Sequence, residues 1–505
     1  MTSHILQLHA NDNVVVALRA LELGSNIETR GAVSAQSSIP KGHKIALVDI
    51  EKDQPIRKYN QIIGFATCSI SAGSHVHVHN CGMGELDLDY AISSAATPVV
   101  TVSSAQRRTF MGYLRANGKV GTRNYIGLIA SVNCSATVVR FIANHFNHSD
   151  ILKAYPNIDG VVAIHHASGC GMANSGEGFD NLKRALVGYS QHPNFASVLQ
   201  VGLGCEVMQL GELKATDKHA VIQKMTIQAE GGTSKTIAAG IEKISNMLAA
   251  ANAIERQPLP VSELTLALQC GGSDSYSGIT ANPALGRAAD LLIEQGGTAI
   301  LSETSEIFGA EHLLTARAVN NEVAQKVIKR IDWWRHYTAI NGGNMNNNPS
   351  PGNKAGGLTT ILEKSLGAVA KSGNTPLQDF YLYAEPITKK GFVFMDSPGF
   401  DPCSVTGQVA SGANIVCFTT GRGSAFGFKP VPSIKLATNS EMYNFQEEDM
   451  DINCGDIIDA QVSIEQKAQQ IFEHIIKTAS GEQSKSEALG YGDNEFVPWQ
   501  IGAVM

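Results

Sequence analysis

Residues 124–148 read NYIGLIASVNCSATVVRFIANHFNH: an apolar run of strand length, a short polar turn that carries Cys134, then apolar positions recurring at helical spacing. The same grammar returns in GVVAIHHASGC, which ends on Cys170, in LQVGLGC, which ends on Cys205, and in LTLALQC, where Cys270 precedes a glycine pair. Amphipathic helical stretches alternate with these strands, among them ATVVRFIANHFNH, DNLKRALVGYSQ and TIAAGIEKISNMLAAANAIE. Strand, helix, strand predicts the α/β class, with largely parallel sheets and right-handed crossovers. Loops leaving the carboxyl ends of such strands are where ligands gather. Four thiols at such positions are therefore expected to face one shared cleft, and converging soft ligands point to iron.

Outward from this core the rhythm changes. Residues 1–95 hold short alternating runs (HILQLHA, VVVAL, KIALVDI, QIIGFATCSI, HVHVHN) broken by Gly, Asn and Pro, the pattern of a small β-rich module. Residues 96–110, which include PVVTVSSAQRRTF, are polar enough for a linker. A first α/β region is expected over 111–255, and a proline-containing break at ERQPLPVSEL separates it from a second over 256–505. The latter contains strands LTLALQ, TAILSET, GFVFM and ANIVCFTT and the helix ANPALGRAADLLIEQ. No solenoid repeat, heptad run or low-complexity tract interrupts this order.

Composition narrows the function. At 505 residues the chain exceeds a single core and suits roughly three domains of about 100–200 residues each. The 49 glycines against 17 prolines supply the many tight strand-to-helix turns an α/β body needs. A formal charge of −7 gives no basic footprint for nucleic acid or an anionic membrane. No stretch is long and apolar enough to span a bilayer, and MTSHILQLHANDN lacks the charged and apolar regions of a signal peptide. The nine cysteines show no disulfide framework, which fits a reducing, cytoplasmic setting with thiols free to bind metal. A small molecule is the expected partner, and the chain is expected to form a homo-oligomer.

Several clusters carry chemistry. GSHVHVHN puts His75, His77 and His79 at alternate positions, on one face if the segment is a strand, and imidazole is a common iron or zinc ligand. Successive Cα atoms in that set would stand roughly 6.5–7 Å apart, so two of the three suit one ion better than all three. In LQCGGSDSYSGITANP the strand breaks into Gly271 and Gly272, followed by Ser273, Asp274, Ser277 and Asn282 before a helix, so that backbone N–H groups can approach an anion. The same loop also reads as a tight turn with capping Ser and Asn side chains. Further candidates are Glu303 and Glu306 after a strand, Asn353 and Lys354 in a Gly/Pro-rich loop, and Thr419, Thr420 and Arg422 in FTTGRG. Arg offers a fork for carboxylates, Lys a base or clamp, and Glu a proton carrier or metal ligand.

In this order the strings resemble the galactarate/altronate dehydratase family over nearly the whole chain. They are GHKIALVDI, YNQIIGFA and HVHVHN, then RANGKVGTRN, SVNC, HHASGCG and VGLGCE, then LQCGGSDSYSGITANPALGR, SPGNKAGG, FTTGRG and IKLATN. The resemblance implies an N-terminal SAF-type module before two α/β regions, and dehydration of a hexonic or hexaric acid dependent on iron or a related divalent metal (Fe2+ or Mn2+). It carries over to Cys134, His166, Cys170, Cys205, Glu206, Cys270, Asp274, Asn353, Lys354 and Arg422, and HVHVHN resembles the altronate branch. The segment DSPGFDPCSVTGQVASGAN departs from both branches and leaves the substrate open between altronate, galactarate and another sugar acid.

Removing water across C2 and C3 needs a base for the C2 proton, stabilisation of the enediolate, and help for the departing hydroxyl. Lys354 or His166 is the expected base and Glu303 a further proton carrier. Arg422 or the Cys270–Asp274 loop, with Ser273, Asn353 and Thr420 near it, is expected to hold the substrate. Metal is expected from Cys134, Cys170, Cys205, Cys270, His75 and His77, as a single ion or an iron–sulfur cluster. Two other classes compete. GRGSAFG after a strand suggests a dinucleotide-binding oxidoreductase, though its spacing is irregular and the prolines of KPVPSIKLA discourage the helix required. A non-enzymatic sugar-acid sensor would have no use for polar and thiol residues at many strand ends.

Overall fold

The computed structural model describes residues 4–28, 32–214 and 221–505, and it is of the α/β class with a strand-rich N-terminal region. That region consists of short antiparallel strands: Val14–Ala17 lies between Ile5–Leu6 and Lys44–Ala46, with His75–Val76 at the far side. A second small sheet pairs Gln61–Ala66 with Pro55–Lys58 and Cys81–Gly82. Residues beyond Gly82 cross to the C-terminal region and are pinned there by backbone bonds, Ser93 N to Thr315 O at 3.0 Å and Val102 N to Glu294 O at 2.8 Å. The expected linker thus lies along another domain, and its end already belongs to the strand Thr109–Leu114. That strand pairs with Gln257–Pro260, so the entry to and exit from the middle region are tied side by side.

The middle region is a four-stranded parallel sheet. Tyr125–Ala130 lies between Gly160–Ile164 and Phe195–Gly202, with Val221–Thr226 outside the latter. Helices Ala136–Asn147 and Glu177–Ser190 form crossovers between its strands, and Thr233–Asn252 follows the last of them. The C-terminal region is a seven-stranded parallel sheet whose central pair is Thr265–Cys270 and Ile415–Thr420. On one side stand Thr298–Leu301, Gly391–Met395 and Leu377–Tyr381, on the other Ser433–Ala437 and Ile452–Asn453. Gly391–Met395 and Ile415–Thr420 are buried throughout and read as largely apolar runs, as parallel strands do. No helix follows Gly421–Gly427, and the next element is the strand Ser433–Ala437, so the dinucleotide reading lacks the helix it requires. Among the described residues no helix is long and apolar enough to cross a membrane.

The N-terminal module packs onto the C-terminal region through a common apolar core that joins Ile56, Ile63, Ile70 and Val76 to Ala284, Leu285 and Leu366. A charged network lies inside that interface. Glu363, from the helix Ile361–Val369, receives Lys44 Nζ at 2.8 Å and Lys58 Nζ at 3.0 Å, and all three side chains are essentially inaccessible. Thr359 donates its N–H and hydroxyl to the same carboxylate, and Lys44 also reaches Gly357 O at 2.6 Å. Burial alone would raise the Glu363 pKa, but the two ammonium groups overcome it and hold it at about 2. The stabilisation it contributes is complete at neutral pH and fades only as pH falls below the usual 4.5 toward about 2. Glu363→Ala would leave two buried ammonium groups without a counter-charge and should cost about 3–5 kcal/mol, measured by denaturant unfolding.

Candidate functional site

The connectivity of the seven-stranded sheet reverses between Thr265–Cys270 and Ile415–Thr420, the position where open α/β sheets bind ligands. The loops beyond these strands interlock. Gly421 N and Arg422 N both donate to Gly272 O, at 3.1 and 2.9 Å. Asp274 is the staple of this turn, accepting from Tyr276 N, Ser277 N, the Ser277 and Thr438 hydroxyls and Asn439 Nδ2. A Cβ on Gly421 would stand 2.1 Å from Asp274 Cγ, so only glycine fits there. Asn353 donates to Ser273 O at 2.8 Å and accepts from Ser350 N at 2.8 Å, which fixes the helix Pro351–Ala355 against the loop. Thr420 is buried, its hydroxyl accepting from Gly423 N. Asp274, Asn353 and Thr420, expected to touch substrate, thus brace the loops at the strand ends. Lys354 and Arg422 are different: among the described residues neither side chain makes a hydrogen bond or ion pair, and both are at least partly exposed.

The N-terminal module brings histidines to the same place. His43 Nε2 lies 3.3 Å from Ala355 O, next to Lys354, and His43 Nδ1 lies 3.0 Å from His75 Nε2. The strand expected across HVHVHN ends at Val76, and a turn follows in which Asn80 accepts from His77 N and donates to His75 O. This turn corrects the alternating-face expectation and stacks the His75 and His77 rings at 5.4 Å. His43, His75 and His77 each offer a ring nitrogen within 4.8 Å of the others, and His77 Nδ1 is buried without a partner. Burial first, then neighbouring positive charge, lowers the pKa of His75 to about 4 and of His77 to about 3, so both are neutral, the form that binds metal. The donor set and the orphaned nitrogen fit a divalent ion. His79 is exposed at the rim. His43 escaped the sequence reading because a lone histidine in KGHKIAL has no spacing pattern; only the pairing of Lys44–Ala46 with His75–Val76 adds it to the set.

A second cluster lies beneath, at the carboxyl edge of the sheet. Cys270 Sγ receives Lys371 Nζ at 2.8 Å, Lys371 lies 3.6 Å from Glu303, and Lys364 binds Glu306 at 2.8 Å. Glu303 has left-handed backbone (φ 72°), which strains a side-chain-bearing residue, and neither carboxylate oxygen has a hydrogen-bond partner. Burial, then Glu306, raises its pKa, while Glu306 is held low by Lys364 and Lys371 against its own burial. Asp401 abuts the same loop, since a Cβ on Gly271 would stand 2.2 Å from its Oδ2. Burial and the Glu306 charge push Asp401 up to about 7. Cys270, Glu303 and Glu306 also offer ligand atoms within 4.8 Å of one another, the spacing of a metal site, with the ammonium groups of Lys364 and Lys371 beside them. Lys364, Lys371 and Asp401 were not singled out in the sequence, because lysines in a helical segment and an aspartate beside proline read there as surface and turn residues.

The remaining expectations separate in space. Cys134, Cys170 and Cys205 are exposed at the edge of the four-stranded sheet, whereas Cys270 is buried in the other sheet, so the single four-cysteine cleft does not form. His166 also belongs to the four-stranded sheet. Its Nε2 contacts Ala130 O at 3.1 Å and its Nδ1 accepts from Ser168 N at 3.2 Å. Burial lowers its pKa to about 4, and with both nitrogens committed it has none left to take a substrate proton.

The fold and site thus define a three-part α/β protein with a β module closing over a strand-end site. Residues 261–504 match the D-galactarate/altronate dehydratase C-terminal family, residues 112–252 the second domain of D-galactarate dehydratase/altronate hydrolase, and residues 3–84 the altronate/galactarate dehydratase SAF domain. Altronate dehydratase of Bacillus subtilis (strain 168) is 36% identical over 483 residues, 94% of this chain and 95% of that protein. Altronate dehydratase of Escherichia coli (strain K12) is 35% identical over 486 residues (95% and 96%), and galactarate dehydratase (L-threo-forming) of the same organism 35% over 489 (95% and 93%). The chain belongs to the D-galactarate/altronate dehydratase family, and it is an enzyme of the hydro-lyase class.

The Asp401 pKa gives a test of the buried cluster. The folded state binds the Asp401 proton more tightly than the unfolded state, whose ordinary value is 3.8, so stability falls as pH rises from there to about 7. Asp401→Asn cannot ionise, and its stability advantage over the parent should grow by up to about 4 kcal/mol across that window, read from unfolding curves at each pH.

Proposed function

We propose that the enzyme removes water from C2 and C3 of a hexonic acid, altronate first, to give a 2-keto-3-deoxy acid. The observation that carries this reading is the pair of uncommitted cations, Lys354 and Arg422, on braced loops beside a neutral histidine triad. Arg422 presents its planar fork to the C1 carboxylate, and Lys354 takes the C2 proton. Asp401, which keeps its proton to about pH 7, gives it to the departing C3 hydroxyl, and Lys364 and Lys371 hold the charge of the cluster behind it. His43, His75 and His77 would hold a divalent ion, Fe2+ or Mn2+, which supplies positive charge for an enediolate. The HVHVHN string and two altronate dehydratases among the relatives favour altronate. Galactarate is the second reading, because two free cations match its two carboxylates.

Anaerobic incubation with Fe2+ and each acid, scored for 2-keto-3-deoxy product, separates the two; product from neither would sink the proposal. Lys354→Met should lower kcat roughly 10²–10⁴-fold and abolish C2-proton exchange with heavy water while substrate still binds. Arg422→Lys should instead raise KM, since the charge remains and the fork is lost. His43→Ala and His77→Ala should each release bound iron, measured on the protein without substrate.

A further inference from the structure

We propose that Cys134, Cys170 and Cys205 form a three-thiolate seat for an iron–sulfur cluster, separate from the histidine triad. The three residues follow three adjacent strands of the four-stranded parallel sheet, Tyr125–Ala130, Gly160–Ile164 and Phe195–Gly202. Neighbouring strands stand about 4.8 Å apart, so their carboxyl ends start close together. The loops then bond to one another. Asn133 N donates to Ser168 O at 2.9 Å, and Met208 N donates to Gly169 O at 3.0 Å. The buried carboxylate of Glu206 accepts from Ser131 Oγ at 2.7 Å and from Gly204 N at 2.6 Å. Each of these three ties involves a residue next to one of the cysteines, and each cysteine side chain remains exposed. Five of the other six cysteines are buried among apolar or charged neighbours. A soluble protein gains nothing from three exposed thiols on converging loops, which invite oxidation, unless something binds them.

The spacing argues against a single shared ion. A single tetrahedral ion with metal–sulfur bonds of about 2.3 Å needs its sulfurs about 3.8 Å apart. These three are not mutually within 4.8 Å, the distance that the histidine triad does satisfy. A cluster binds each thiolate to a different iron and so spans a wider triangle. With three protein ligands, one iron keeps a position open to solvent or a small anion.

The test uses the full chain purified without oxygen, and the same protein treated with ferrous iron and sulfide. The wild type should show broad thiolate-to-iron absorption in the visible and acid-labile sulfide in proportion to iron. Cys134→Ser, Cys170→Ser and Cys205→Ser should each lose most of the labile sulfide and the band; circular dichroism confirms that they fold. His77→Ala, which removes a ligand of the other site, should retain both. Iron bound without labile sulfide, a cluster that survives the three cysteine substitutions, or no cluster under either condition would overturn the proposal. Because the readout is absorbance and sulfide, its failure is distinguishable from failure of the dehydratase reading, which is scored by product.

Discussion

One buried carboxylate, Glu363, holds two ammonium groups from the N-terminal module, and the position of that module follows from it. Three charges in an interior without water are tolerable only when each is paired and hydrogen-bonded, which restricts the module to one pose. In that pose Lys44 reaches Gly357 O, and its chain neighbour His43 comes to rest against Ala355 O, beside Lys354. A slip along the interface would leave an unpaired charge inside the protein. The ion network thus does for this active site what a hinge or a disulfide does elsewhere, fixing two independently built units in register.

Below the interface the C-terminal sheet divides its polar residues into two groups. Asp274, Asn353, Ser350 and Thr438 bond to one another and to backbone, so the loops at the strand ends are stiff. Lys354 and Arg422 are left out of that bracing. A rigid frame with two free cations is suited to an anionic substrate, because the ordering cost has been met in folding rather than on binding. The buried cluster behind it keeps carboxyl groups in unequal protonation states: Glu306 is held ionised by lysines, while Glu303 and Asp401 are pushed upward. Unequal environments around like groups are what acid and base chemistry at one pH requires.

Local order in the chain was readable because strands and helices write their periods directly into sequence. The runs ending at Cys134, Cys170, Cys205 and Cys270 are all parallel strands, and the polar loops after them lie where strand-end chemistry belongs. The histidine string failed as a strand because Asn80 turns back on His75, a local side-chain bond that a period-two reading does not contain. Strands 377–381, 433–437 and 452–453 were missed because they are short and sit among loop-like neighbours, so their order depends on the sheet around them.

By itself the sequence determined the class of fold, the order of its three parts, the family, and the loops that carry chemistry, since each is encoded in contiguous residues. Only the tertiary structure decided how these pieces combine. It placed Cys270 in one sheet and the other three thiols in another, joined His43 to His75 and His77 across antiparallel strands, and drew Lys364, Lys371 and Asp401 under the site. The physical reason is that burial and charge pairing act between residues far apart in the chain. Whether a lysine is solvated or locked to a carboxylate depends on what the fold packs against it, as Lys44 and Glu363, hundreds of residues apart, make plain.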